Sequence, residues 1–372
     1  MKREKGVTLI ELLVSLLVLT IVVAISLTFF TKQLQLTTSQ SRISESGQEA
    51  LSAMQTLRRD IETAGYGLPW DMAGLSYNEA ISSAASYNDS PYPPRAIIID
   101  NANSRLVLKG TALGNKSVSR RWGVYDSSGV FHNGFSGTSS DYTKLNRFVA
   151  NDYAIILTAG SRRLIRNGSN WSYKYSGGSL ASVPMLQSNA YLAYGITNTS
   201  SPRSPFNRID YYLSQPASLP SNCAIGTNVL YRGIMNKSGG IGPPYYPILD
   251  CVAGFYIRIG EVNGKKGDST IFWSSSSSDP DYAYYADPSP GNEKASDERS
   301  RLKMVRVFIL VQNGQKDRNY NATDNPNIST AGIYSFNVDS NTSETFDLSG
   351  ITDWQNYRWK LIKMTVVPKN LY

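Results

Sequence analysis

The sequence predicts an α+β protein: one long N-terminal helix, membrane-soluble at first and amphipathic later, packed on an antiparallel, β-rich and loop-rich globular part. Three observations predict it. From Leu12 to Thr31 the chain runs 20 residues without a charge; as a helix that stretch spans roughly 30 Å, the thickness of a bilayer's hydrocarbon core. Further on, Ile43, Ala50, Met54, Leu57 and Ile61 recur at spacings that share one helical face. Past residue 65, short apolar runs alternate with turn residues, the pattern of strands joined by loops.

The helix comes first. A basic leader, Met1-Lys2-Arg3-Glu4-Lys5, precedes Gly6-Val7-Thr8-Leu9-Ile10-Glu11 and the apolar run to Phe30. Ser15, Thr20, Ser26 and Thr28 are compatible with lipid, because a helical hydroxyl bonds back to a carbonyl one turn earlier. Glu11 is the misfit. An unpaired carboxylate inside an apolar run costs at least a few kcal/mol, so a partner is expected for it. No proline occurs between Val7 and Ala64 to force a kink. Gly65-Tyr66-Gly67-Leu68-Pro69 then supplies a glycine cap with a proline beyond it. The expected helix runs from 7 to 64, roughly 87 Å at 1.5 Å per residue. Residues 7–31 form its transmembrane half and 32–64 its amphipathic half. Arg42, Glu45, Glu49, Arg58, Arg59, Asp60 and Glu62 are expected on its solvated side. A secretory signal peptide fits less well, since its apolar core is about 7–15 residues with a small-residue cleavage site beyond it.

The segment Gly6-Val7-Thr8-Leu9-Ile10-Glu11 resembles the processing site of type IV prepilins and of type II secretion pseudopilins. The resemblance implies that residues 1–6 are a leader, removed by prepilin peptidase after Gly6. It implies N-methylation of the new end, Val7, and an assembly role for Glu11, the fifth mature residue. Family members usually carry phenylalanine after the cut; this chain has valine.

In the globular part, residues 65–372, Ala96 to Asp100 and Arg105 to Lys109 read as a β-hairpin around Asn101-Ala102-Asn103-Ser104. Tyr153 to Leu157 and Arg163 to Arg166 flank Ala159-Gly160-Ser161 in the same way. Further strands are expected over 208–213, 228–232, 252–261, 301–312 and 358–367. Loops are expected over 77–94 and 260–299, the second holding five consecutive serines from Ser274 to Ser278.

A second resemblance, to PilW-type minor pilins, runs through these pieces. Met54-Gln55-Thr56-Leu57-Arg58-Arg59-Asp60-Ile61-Glu62-Thr63-Ala64-Gly65-Tyr66-Gly67 looks like the end of their helix. Asn207-Arg208-Ile209-Asp210-Tyr211-Tyr212-Leu213, Val252-Ala253-Gly254-Phe255, Arg301-Leu302-Lys303-Met304-Val305-Arg306-Val307 and the tail Lys369-Asn370-Leu371 are similar to further segments in the same order. The implied protein is a minor pilin related to the J-type pseudopilins. It would prime or cap a type IV pilus. Its partners would be prepilin peptidase, other minor pilins, the major pilin and the inner-membrane assembly platform. It would be a single-pass inner-membrane protein with a periplasmic head, moving to the pilus tip or cell surface on assembly. A type II secretion pseudopilin, or a tip module for adhesion or DNA uptake, is the alternative. The tyrosines Tyr77, Tyr87, Tyr92, Tyr282, Tyr284 and Tyr285 are the candidate patch for the last of these.

A prepilin head lies outside the inner membrane, where thiols oxidise. A Cys223–Cys251 disulfide is the simple expectation from that placement, with two separate buried thiols as the alternative; the bond would be worth roughly 3 kcal/mol for the loop it closes in the chain-entropy model. The composition suits an exported head: 24 Tyr, 29 Gly and 17 Pro with 18% charged residues. The net charge of +8 is spread along the chain with no basic run longer than a pair, which gives no case for nucleic-acid binding. No enzyme, cofactor or metal site is read from the residues. His132 is the single histidine and is expected in an exposed loop; one histidine supports neither a zinc site nor a usual catalytic dyad. No glycine loop with its phosphate-binding lysine occurs. Asp279, Asp281 and Asp287 lack the spacing of an EF-hand.

Overall fold

The structure is a computed structural model that describes residues 8–114, 116–134, 146–184, 189–198, 200, 202–235, 241–262, 271–273, 292–339 and 342–371. Gly6, Val7, the serine run from Ser274 and the aspartates Asp279, Asp281 and Asp287 lie outside the described residues. One helix dominates. Helix α1, Leu9–Thr63, runs 55 residues without interruption, roughly 83 Å, within two residues of the expected span at each end. Its second half buries Ala50, Ala53, Met54, Leu57 and Ile61, the face predicted by the apolar spacing. Gly65 and Gly67 follow with φ of +83° and +66°, a left-handed region that disfavours side chains. Any Cβ on Gly65 would sit 2.7 Å from Leu371 Cδ2. The C-terminal tail thus closes directly over the helix end.

Beyond the helix come β1 (Ile97–Asp100), β2 (Arg105–Gly110), β3 (Trp122–Tyr125), β4 (Phe131–His132), β5 (Tyr153–Thr158), β6 (Tyr173–Ser176), β7 (Ser179–Leu180) and β8 (Tyr191–Thr197). Then follow β9 (Asn207–Ser214), β10 (Asn228–Met235), β11 (Ile241–Val262), β12 (Ile271–Trp273), helix α2 (Asn292–Arg301), β13 (Leu302–Gln312), β14 (Ile333–Asn337), β15 (Ser343–Asp347) and β16 (Trp359–Val366). The larger sheet has the order β1-β2-β9-β10-β11-β13-β16 with β12 also on β11; the second has the order β4-β3-β8-β5-β6-β7. Pairing of these strands is antiparallel throughout.

Helix α1 lies against β2, β11 and β16. One cluster of buried side chains joins α1 to both sheets: Leu57 and Ile61 with Ile97 and Leu106 from the larger sheet and Ile155, Leu157 and Ile196 from the second. Strand β13 shows how the larger sheet is covered on both faces. Its Val305, Val307, Ile309 and Val311 point to the helix side, while Phe308 and Leu310 enter a second cluster with Phe336 on β14, Phe346 on β15, Trp354 and Trp359. A strand buried on both faces reads as a continuous apolar run, and Val307-Phe308-Ile309-Leu310-Val311 is one. The β14–β15 hairpin sits so close that a Cβ on Gly254 would meet the Phe346 ring at 2.1 Å.

Four expectations need correction. The expected loop over 260–299 holds β12 and most of helix α2, whose charged run Asn292-Glu293-Lys294-Ala295-Ser296-Asp297-Glu298-Arg299 is rich in helix-forming residues. Arg163 to Arg166 does not form a strand: it makes two isolated bridges, Arg163 to Asp71 and Leu164 to Leu157. Arg162 turns with φ +48°, and the Leu164 N–H donates to Asp71 O at 2.9 Å, so the segment is drawn toward the chain just after the helix. The full partner of β5 is β8. His132 is not in a loop but on β4, half-exposed, with Nε2 2.8 Å from Asp126 Oδ2. The segment 77–94 lacks strands, as expected, yet it is packed inside. Tyr77 and Tyr87 are buried, which removes both from any surface patch.

A fully buried ion cluster pins that segment. Lys109 Nζ lies 2.6 Å from both Glu79 Oε2 and Asp89 Oδ2. Arg95 Nε donates to Asp89 Oδ1 at 2.8 Å. Arg208 donates to both oxygens of Asp210, at 2.7 and 2.9 Å. Burial alone would raise the Asp89 carboxyl, but the Lys109 and Arg95 charges outweigh it and hold it below the usual carboxylate range. Buried charges persist where each has a counter-ion.

Candidate functional site

Of the residues singled out in the sequence, Glu11 lies on α1, and the site is built from the first described residues of that helix. Thr8 is the N-cap. Glu11 N–H approaches Thr8 Oγ1 at 3.4 Å, and Glu11 Oε2 accepts from Thr8 N at 2.9 Å and Thr8 Oγ1 at 3.0 Å. This is a reciprocal capping box. Glu11 therefore has a partner within its own chain that sequence reading missed, although Thr8-x-x-Glu11 spells the signal. The carboxylate also stands at the positive end of the helix dipole, which favours it there.

From Leu9 to Leu36 every large apolar side chain is at least 47% exposed. This helix is long and apolar enough to cross a membrane. Ser15, Thr20 and Thr28 return their hydroxyls to Glu11 O, Leu17 O and Ala24 O at 2.6, 2.8 and 2.9 Å, so these three polar groups are satisfied along the helix itself, as lipid requires. An apolar N-terminal helix of this kind fits membrane anchoring.

The second half of α1 is fastened to the sheet by polar contacts as well as by its apolar face. Asp60, expected on the solvated side, is buried: Asp60 Oδ2 accepts from Tyr211 Oη on β9 and from Arg232 Nε on β10, each at 2.6 Å. The Tyr211 hydroxyl is pushed well above its ordinary value, first by burial and then by the Asp60 charge. Arg58, Arg59 and Glu62 remain as expected on the outer side. Glu62 is the helix end's tie to the tail. Its backbone carbonyl accepts from Lys369 N and Asn370 Nδ2, each at 3.1 Å, and its carboxylate from Lys369 Nζ at 2.9 Å. Those bonds, from Lys369 first and Arg58 second, hold the Glu62 carboxyl below its usual value.

Cys223 and Cys251 form a disulfide with a Cα–Cα distance of 5.0 Å. It ties the turn before β10 to the middle of β11, the strand against which α1 packs. Among the described residues no group of three or more His, Cys, Asp or Glu is placed to hold a metal ion.

The first 27 residues match the family model of the prokaryotic N-terminal methylation motif. The chain carries that motif. It covers the leader, Gly6, Val7, Glu11 and most of the exposed stem, and it supports a type IV pilin-like or pseudopilin protein. Proteins with this motif are structural rather than enzymatic. The motif also implies processing by prepilin peptidase and assembly with other pilins. No curated protein and no solved structure matches the chain.

Proposed function

We propose that this chain is a minor pilin that joins other pilins to prime or cap a type IV pilus. The observation that carries the reading is the pairing of the methylation motif with a bare apolar stem and a head of some 300 residues. Prepilin peptidase cuts between Gly6 and Val7, leaving residues 1–6 on the cytoplasmic side by the positive-inside tendency. The stem then holds the protein in the inner membrane, its head in the periplasm. Cleavage frees an amine at Val7, one residue from Thr8. Glu11 exchanges its local bonds to Thr8 for the amine of a neighbouring subunit, which offsets the cost of a carboxylate in lipid. Close packing of stems supplies the remaining drive, since lipid gives no hydrophobic push between helices. The head is bulky for a subunit repeated thousands of times and suits the tip, where neighbours constrain it from below only.

N-terminal sequencing of membrane-extracted protein tests the cut; an end at Val7 is expected, and an end near Ala24 or Ser26 refutes it. Deletion followed by counting surface fibres tests the role. Loss of fibres is expected. Intact fibres with a defect in enzyme secretion would replace the reading with a type II secretion pseudopilin. Intact fibres with lost attachment would replace it with an adhesive tip module. Glu11→Ala should leave the cut intact and lower incorporation into fibres; normal incorporation refutes the pairing.

A further inference from the structure

Helix α1, β10 and the short 3-10 turn Ser117–Arg120 enclose a cleft of about 310 Å³. Its charged lining comprises Arg59, Arg120, Arg232 and one carboxylate, Asp60, so three positive charges face one negative and the surplus is two. Asp60 is already committed to Tyr211 and Arg232 at the floor. Arg59 and Arg120 are exposed at the rim, and among the described residues neither is paired with a carboxylate. Thr56 and Thr63 line the same wall as Arg59, and both hydroxyls donate to helix carbonyls, which leaves them able to accept. Gly114, with φ +107°, forms the opposite wall; a Cβ there would meet nothing nearer than Ser119 Oγ at 3.9 Å.

We infer that this cleft binds a phosphate-class oxyanion. Two rim guanidiniums on different elements present planar donor forks, the geometry suited to bidentate phosphate recognition. The surplus of two positive charges matches a dianion. The floor ion pair keeps the site rigid, because Arg232 is held by Asp60 from below. The anion comes from solution. Arg59 lies 28 residues beyond Thr31 on one continuous helix, about 42 Å along its axis, whereas the headgroup layer extends only about 5–8 Å past the hydrocarbon. With the stem spanning to Thr31, the protein's own bilayer cannot place a headgroup there. The group is either free inorganic phosphate or the phosphate of a small soluble ester, such as a sugar phosphate.

Calorimetric titration of the detergent-solubilised full chain tests this, with sodium phosphate and with glucose 6-phosphate at constant ionic strength. Saturable one-to-one binding of phosphate is expected. Binding of the ester as tightly as the free ion assigns the site to esters; binding of the free ion alone assigns it to inorganic phosphate. Arg59→Gln and Arg120→Gln should each weaken binding by about tenfold or more, the loss of one charge-assisted contact. Arg58→Gln, one residue away but outside the cleft and paired with Glu62, should leave it unchanged. The rim variants are at exposed positions, and an unchanged urea midpoint confirms their fold. Equal responses to phosphate, acetate and chloride, equal loss in Arg58→Gln, or undiminished binding in the Arg59→Gln/Arg120→Gln double variant would overturn the site.

Discussion

Replacing Asp60 by alanine should detach the helix from the sheet energetically without touching its apolar face. The substitution removes the oxygen that Tyr211 Oη and Arg232 Nε both reach at 2.6 Å, at a place where Arg232 is 7% and Tyr211 0% exposed. Removing one partner of a buried ion pair costs about 3–5 kcal/mol, and an unmet buried hydroxyl costs about 1–3 kcal/mol. The two penalties share one oxygen and do not add in full, so about 4 kcal/mol is expected, roughly a thousandfold in the folding equilibrium. Tyr211→Phe keeps the ion pair and should cost only about 1 kcal/mol. Replacing all three, as Asp60→Leu/Arg232→Met/Tyr211→Phe, should recover most of the loss, because a dry apolar cluster no longer strands a charge. Urea unfolding of the detergent-solubilised protein, followed by tryptophan fluorescence, measures each. A cost below about 1 kcal/mol for Asp60→Ala, or equal costs for Asp60→Ala and Tyr211→Phe, would refute the reasoning.

Converting both cysteines to serine should lower stability by roughly 3 kcal/mol, the chain-entropy value for the loop between Cys223 and Cys251; a urea midpoint matching that of the oxidised wild type would contradict it. Asp89 is held below the usual carboxylate range in the folded chain, so its contribution is present above about pH 4 and is lost as pH falls through its depressed folded value. Urea midpoints should therefore drop on acidification below about pH 4, and Asp89→Asn should start lower by about 3 kcal/mol at pH 7 and lose less over the same interval. Gly254→Ala places a methyl 2.1 Å from the Phe346 ring and should cost about 1–3 kcal/mol by overpacking, with the hydrogen exchange of β14 and β15 rising first; unchanged exchange there would show that the hairpin adapts freely.

The helix, the hairpin of β1 and β2, and strands β9, β10, β11, β13 and β16 were legible because local signals carry them. An unbroken apolar run, a face repeated at helical spacing and strongly apolar strand segments need no distant partner to be recognised. Of the second sheet only β5 was legible, from Tyr153-Ala154-Ile155-Ile156-Leu157. Its central strand, β8, reads Tyr191-Leu192-Ala193-Tyr194-Gly195-Ile196-Thr197, with a glycine in the interior that demotes a strand by propensity. That glycine is required by tertiary packing, since a Cβ on Gly195 would lie 2.1 Å from Val118 O. The long β11 was underestimated for a related reason: its first residues, Ile241 to Tyr246, include Pro243 and Pro244 and resemble a turn. At the candidate site, Glu11 stood out at once as a charge in an apolar run. Asp60 did not, because its partners lie 151 and 172 residues away, and nothing near it in the chain distinguishes it from its exposed neighbours.

The closure of α1 by Lys369, Asn370 and Leu371 makes the helix end depend on residues 307 and 308 positions further along the chain. A chain lacking Lys369, Asn370 and Leu371 would leave Glu62 O without its two donors and open the space over Gly65. A bulkier side chain at Leu371 would crowd the space over Gly65 that the tail fills, so labels for imaging belong on the exposed turn at Ser127 and Ser128 instead.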